Sequence, residues 1–145
     1  DDEFVLGESM AIVRYLSKKF GWEAPNLLIF GLSEQQIQWA DSLHTTLTMA
    51  HYHSTDRSIA MNELFSTGGK VSRMLVGLES VLLVGEPFTP GDFVSAAMLQ
   101  FLEDLEPGCI EGYPKVHNLF TSVTGMDSVK AFLETVPGEY FSRKN

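Results

Sequence analysis

The 145 residues predict an all-α fold, an irregular bundle of about six or seven helices. Three observations carry this. Apolar residues recur at helical spacing along most of the chain. Helix start signals alternate with Gly and Pro stop signals. Strand-like apolar sequence is confined to Phe4-Val5-Leu6.

The first helix is expected from Ser9 to Phe20, with a stripe of Ala11, Ile12, Tyr15 and Leu16, ended by Gly21 and Pro25. Residues 21–32 read as a loop. Ser33-Glu34-Gln35-Gln36 has the form of a capping box, with Leu32 and Ile37 at the staple positions. A long helix should follow over residues 34–51, and a second piece over residues 56–65, capped within Ser54-Thr55-Asp56. After Ser66-Thr67-Gly68-Gly69, the spacing of Val71, Met74, Leu75, Leu78 and Leu82 predicts a core-facing helix ending at Gly85.

Phe88-Thr89-Pro90-Gly91-Asp92-Phe93 is the best-formed start signal. Thr89 is the N-cap, Pro90 takes the first helical position and Asp92 can bond back to the Thr89 N–H. Phe88 and Phe93 form the staple. A central buried helix should follow, with Val94, Ala97, Met98, Phe101, Leu102 and Leu105 on one face. Pro107-Gly108 stops it. Two shorter helices are expected over residues 114–124 and 127–136, then a tail.

Apolar residues make up 44% and charged ones 20%, which is a globular balance. The formal charge of −9 disfavours nucleic acid, whose phosphates need clustered Lys and Arg. The single Cys109 excludes a disulfide within the chain, so a reducing, cytoplasmic setting is expected. With no run of 18 apolar residues, no membrane partner is expected. Neither is a signal peptide. Asp1-Asp2-Glu3 opens the chain without an initiator Met, as a piece of a longer protein would.

Glu8 and Ser9 stand where the first helix begins. A helix N-terminus offers free N–H groups and partial positive charge, which suit a carboxylate. The Ser9 hydroxyl adds a donor, and Glu8 can pair with an ammonium. Together they suit the zwitterionic end of an α-amino acid. The same residues also read as a plain N-cap with an acidic first turn, and periodicity alone favours that reading.

The other candidates are weaker. His51 and His53 point to opposite sides of a helix, and His44 lies roughly 10.5 Å of rise from His51, so neither pair fits one zinc ion. Cys109 sits in a Pro-Gly loop with no cation in sequence reach and reads as an ordinary thiol. No G-x-S-x-G occurs, and Gly68-Gly69-Lys70 lacks phosphate-loop spacing.

Three stretches resemble the cytosolic glutathione transferases. "ESMAIVRYLSKKFG" is similar to the segment that closes their thioredoxin-like half. "GEPFTPGDFVSAAMLQFL" resembles the start of the buried central helix in their all-helical half. "YPKVHNLFTSVTGMDSVKAFLE" resembles their ending. The spacing is most similar to the sigma-like and related classes, while residues 51–69 show no family pattern.

The resemblance implies a remnant of the thioredoxin-like domain over residues 1–21, its last strand and helix, then a linker over 22–32 and an all-helical C-terminal domain over 33–145. It implies that Glu8 and Ser9 hold the γ-glutamyl end of glutathione. It places Asp41 near an acidic residue that reaches the partner subunit's glutathione. Met49, Tyr52 and Phe141 become candidate walls of a pocket for a hydrophobic electrophile. The thiol-activating Tyr, Ser or Cys would precede Asp1, so the chain alone is expected to be inactive. Glutathione would be a co-substrate, with no cofactor or metal, and the protein a homodimer serving detoxification. The alternative is a non-catalytic interaction module of the elongation-factor gamma-subunit or synthetase-complex type, to which "LLVGEPFTPGDF" and "IQWADS" are also similar.

Overall fold

The computed structural model describes residues 5–83 and 87–135. Among them are seven helices: α1 (Ser9–Phe20), α2 (Leu27–Tyr52), α3 (Arg57–Phe65), α4 (Lys70–Val81), α5 (Pro90–Leu105), α6 (Pro114–Thr124) and α7 (Asp127–Leu133). The all-α expectation holds. Val5 and Leu6 form no strand, and Val5 is 96% exposed; Phe4 lies outside the described residues.

α5 occupies the centre, packed against α2 on one side and α6 on another. Its Leu99, Leu102 and Leu105 meet Leu43 and Leu47 of α2, Leu75 and Leu78 of α4, and Val116 and Val123 of α6 in one buried cluster. The start of α5 follows its sequence signal closely. Asp92 Oδ2 accepts from the Thr89 N–H at 2.7 Å and from its hydroxyl at 2.9 Å. The Phe88 and Phe93 rings lie 6.1 Å apart, as the staple predicts.

The buried face of α5 matches the prediction at Leu102 and Leu105 and departs from it at the other positions. Gly91, Ser95, Ala96, Leu99, Leu102 and Leu105 are buried, whereas Ala97 is exposed and Val94, Met98 and Phe101 are half-buried. The helix is apolar on two sides, so periodicity alone did not say which side meets the core.

α2 begins six residues before Ser33. Asn26 is its N-cap, accepting from the Ile29 N–H at 3.0 Å, and residues 27–32 are helical rather than loop. Ser33 and Gln36 form no capping box. Ser33 Oγ accepts from the Gly91 N–H at 3.0 Å, and Gln36 Nε2 donates to Asp92 Oδ1 at 2.8 Å. Both side chains thus tie α2 to the first turn of α5.

Gly91 makes that approach possible. A Cβ there would lie 2.5 Å from both the Ser33 carbonyl oxygen and Gln36 Oε1.

Two carboxylates order the far end. Glu79 of α4 accepts from the Lys115 and Val116 N–H groups at the start of α6. Glu103 accepts from the Gly108 and Ile110 N–H groups and holds the turn after α5. α3 is capped by Asp56, as expected. α4 ends at Val81 rather than near Gly85, which lies outside the described residues, as does Val136 beyond α7.

Candidate functional site

α1 runs over the predicted residues and ends at Gly21 in the left-handed region (φ 70°), with the Trp22 N–H bonded to the Ser17 carbonyl. Its apolar stripe is not buried. Ile12, Tyr15 and Leu16 are all partly exposed, and only Ser17 is buried.

The start of α1 is unusual. Glu8 is the N-cap at φ 67°, the one non-glycine residue with positive φ among those described. Holding a non-glycine residue in so sparsely populated a region costs about 1–3 kcal/mol. The Glu8 side chain makes no capping hydrogen bond. The first N–H groups of a helix have no intrahelical acceptor, and among the described residues no side chain caps those of Ser9, Met10 and Ala11. The plain N-cap reading is therefore not what the structure builds.

A groove of about 490 Å³ lies beside this end, between α1, α2 and α5. Its walls are mainly apolar: Met10, Val13 and Leu16 from α1, Trp22 after it, and Phe93, Val94, Ala97 and Met98 from α5. Trp22 stacks on Phe93, with centroids 5.6 Å apart and planes at 24°. The polar lining includes Ser9 from α1 and Asp41 and His44 from α2. Ser9 and Asp41, 32 positions apart in sequence, thus share one groove. One wall of it is a face of α5 whose Phe93 and Met98 also pack against the edge of the core.

The other predicted residues fall elsewhere. Glu8 precedes the groove without lining it. Met49 and Tyr52 lie about 12 and 16 Å of helix rise beyond Asp41, exposed at 55% and 74%, and line no part of this groove. Phe141 lies outside the described residues. Near Tyr52, burial, with a smaller contribution from Arg57, holds His51 below the usual histidine range.

Cys109 Sγ lies 3.6 Å from Glu103 Oε1. Burial first, and then the Glu103 carboxylate, push its pKa up to about 12. It stays protonated at neutral pH. Among the described residues, no three of His, Cys, Asp and Glu come together as a metal site, and no helix is long and apolar enough to cross a membrane.

Residues 37–127 match the family model for the glutathione S-transferase C-terminal domain. The chain belongs to this family. Its fold matches the solved structure of the Onchocerca volvulus Pi-class glutathione S-transferase, with a TM-score of 0.81 at 16% identity. The match covers 91% of this chain and 66% of that one, so this glutathione S-transferase domain spans just under two thirds of the solved relative. Identity this low shows the shared fold and not the class within the family. Sequence comparison with curated proteins finds no match.

Sequence reasoning passed over His44, Trp22 and Phe93 as groove residues. His44 stands three positions after Asp41, on the same helix face, and that spacing was the available signal. Nothing local marks Trp22, whose place in the wall depends on how α1 lies across α5.

Proposed function

We propose that this chain is the C-terminal part of a glutathione transferase that conjugates glutathione to electrophiles. The observation that carries the reading is the uncapped start of α1, with Ser9 turned to a groove that Asp41 also lines. The free N–H groups and the Ser9 hydroxyl take the γ-glutamyl carboxylate, Glu8 supplies negative charge for its ammonium, and Asp41 reaches the partner subunit's glutathione. Backbone strain at Glu8 fits a site held for binding rather than for folding.

The chemistry is nucleophilic. The glutathione thiolate attacks the electrophilic carbon, the C–S bond forms, and the leaving group departs with its electron pair. The group that favours the thiolate lies outside this chain. Cys109, still a thiol at neutral pH, is not that group.

Residues 1–21 are then the end of a thioredoxin-like domain. The rest of that domain covers the exposed stripe of α1 and the apolar groove wall, which explains why a helix with an apolar face buries so little of it. Met49, Tyr52 and Phe141 remain the proposed wall of the electrophile pocket, and the protein works as a cytoplasmic homodimer in detoxification.

A second reading has its own observation. Leu27, Leu28 and Phe30, at the start of α2, are all exposed. Such a patch suits an assembly surface of a non-catalytic module.

Glutathione titration of the full-length protein separates the two. The transferase reading expects binding that Ser9→Ala weakens about tenfold or more, because hydrogen bonds to a charged group contribute about 1.5–3 kcal/mol. A full-length protein that binds no glutathione leaves the scaffold reading in possession.

A further inference from the structure

The two polar parts of the groove sit on different helices, Ser9 on α1 and Asp41 on α2. Something must fix the angle between those helices. At the Ser9 end the groove lies between Met10, Val13 and Leu16 of α1 and the facing residues of α2 and α5. At the other end, Trp22 stacks on Phe93.

Between them stands one ion pair. Arg14 Nε donates to Glu34 Oε1 at 3.0 Å, and Arg14 Nη2 donates to Glu34 Oε2 at 2.6 Å. This side-on, two-pronged geometry fixes direction as well as distance. The Arg14 guanidinium in turn holds the Glu34 carboxyl below the usual carboxylate range.

The pair is partly exposed, at 44% and 30% of the two side chains. Exposed pairs contribute little to global stability, so stability alone gives this one little purpose. Its position gives it leverage. Ser9 lies about 16 Å from the Phe20 end of α1 and about 7.5 Å from Arg14. A tilt of about 5° about the Phe20 end moves Ser9 by roughly 1.4 Å, which is more than a hydrogen bond tolerates.

We propose that Arg14 and Glu34 are positioning residues for the glutathione site, clasping α1 to α2 so that Ser9 is held at a fixed place beside the groove. This rests on the glutathione reading above. The clasp sets affinity for the γ-glutamyl end and does not touch the ligand itself.

The test uses the full-length protein, with glutathione as the probe. Glu34→Gln should weaken glutathione binding about fivefold in calorimetry at low salt. Wild-type affinity should fall toward the variant's as salt rises, while the variant responds little. The reversed pair, Arg14→Glu with Glu34→Arg, should recover most of the loss. Amide exchange at residues 12–16, whose N–H groups are bonded within α1, should quicken in Glu34→Gln relative to α5.

Unchanged affinity and unchanged α1 exchange in Glu34→Gln overturn the clasp, whatever happens to the melting temperature. So does a folded reversed pair that recovers nothing. Ser9→Ala keeps the two ideas apart. If it leaves affinity unchanged, the glutathione site is wrong, and the exchange measurement, which needs no ligand, still decides the clasp. If it weakens binding while Glu34→Gln does not, the site stands and the clasp falls.

Discussion

Replacing Gly91 by Ala tests how the central helix meets α2. Ordinarily Gly→Ala inside a helix stabilises by about 0.5–1 kcal/mol, because glycine loses more backbone freedom on folding. At Gly91 the added methyl would stand 2.5 Å from the Ser33 carbonyl oxygen and 2.8 Å from Ser33 Cα. These are backbone atoms and cannot rotate away. The helices must separate by several tenths of an ångström, an overpacking cost of about 1–3 kcal/mol. Separation also strains the buried bond from the Gly91 N–H to Ser33 Oγ, a further cost of about 1 kcal/mol. Subtracting the helix gain leaves a net loss of about 2 kcal/mol.

Gly77 in α4 is the control, since a Cβ there meets nothing within 4 Å. Urea unfolding of both variants gives the answer. Gly91→Ala should lower the midpoint and Gly77→Ala should raise it slightly. If Gly91→Ala is as stable as Gly77→Ala, the close approach of α2 and α5 is not what the structure says it is.

Three further outcomes follow from the same packing. Ser95 is fully buried, and its hydroxyl has no hydrogen-bond partner, so Ser95→Ala should be neutral or stabilising by up to about 1 kcal/mol in urea unfolding. Asp92→Ala should cost about 3 kcal/mol by the same assay, because it removes the Thr89 cap and leaves the buried Gln36 amide short of an acceptor. Cys109, with its pKa pushed up to about 12, holds its proton in the folded state over a range where the unfolded thiol releases it. Stability contributed by that proton should therefore be lost as pH rises from about 9 toward 12. The difference between wild type and Cys109→Ser should show it, and thiol reagents at pH 8 should label Cys109 slowly until denaturant is added.

The sequence was most legible where a structural signal is local. α1 stops at Gly21 and α5 starts after its N-cap Thr89, because a left-handed glycine and a capping box act within a few residues. Ser33-Glu34-Gln35-Gln36 misled for the same reason. The pattern suits a helix start, but Ser33 and Gln36 make their bonds to Gly91 and Asp92, more than fifty residues away. The inner face of α5 was read correctly at Leu102 and Leu105 but not at Val94 and Ala97, which line the groove instead, because the helix carries apolar residues on both sides. Of the groove lining, Ser9 and Asp41 could be named from residue type and resemblance, whereas Glu8, named with them, does not line it. The groove that joins Ser9 to Asp41 could not, since it depends on the angle at which α1 crosses α2.

The central claim is that Ser9 and the start of α1 hold the γ-glutamyl end of glutathione. The most direct measurement titrates full-length wild type and Ser9→Ala with glutathione, and then with the dipeptide Cys-Gly, which lacks that end. The account predicts that Ser9→Ala weakens glutathione about tenfold or more and leaves Cys-Gly affinity unchanged. Equal losses for both ligands, or no loss for glutathione, would contradict it.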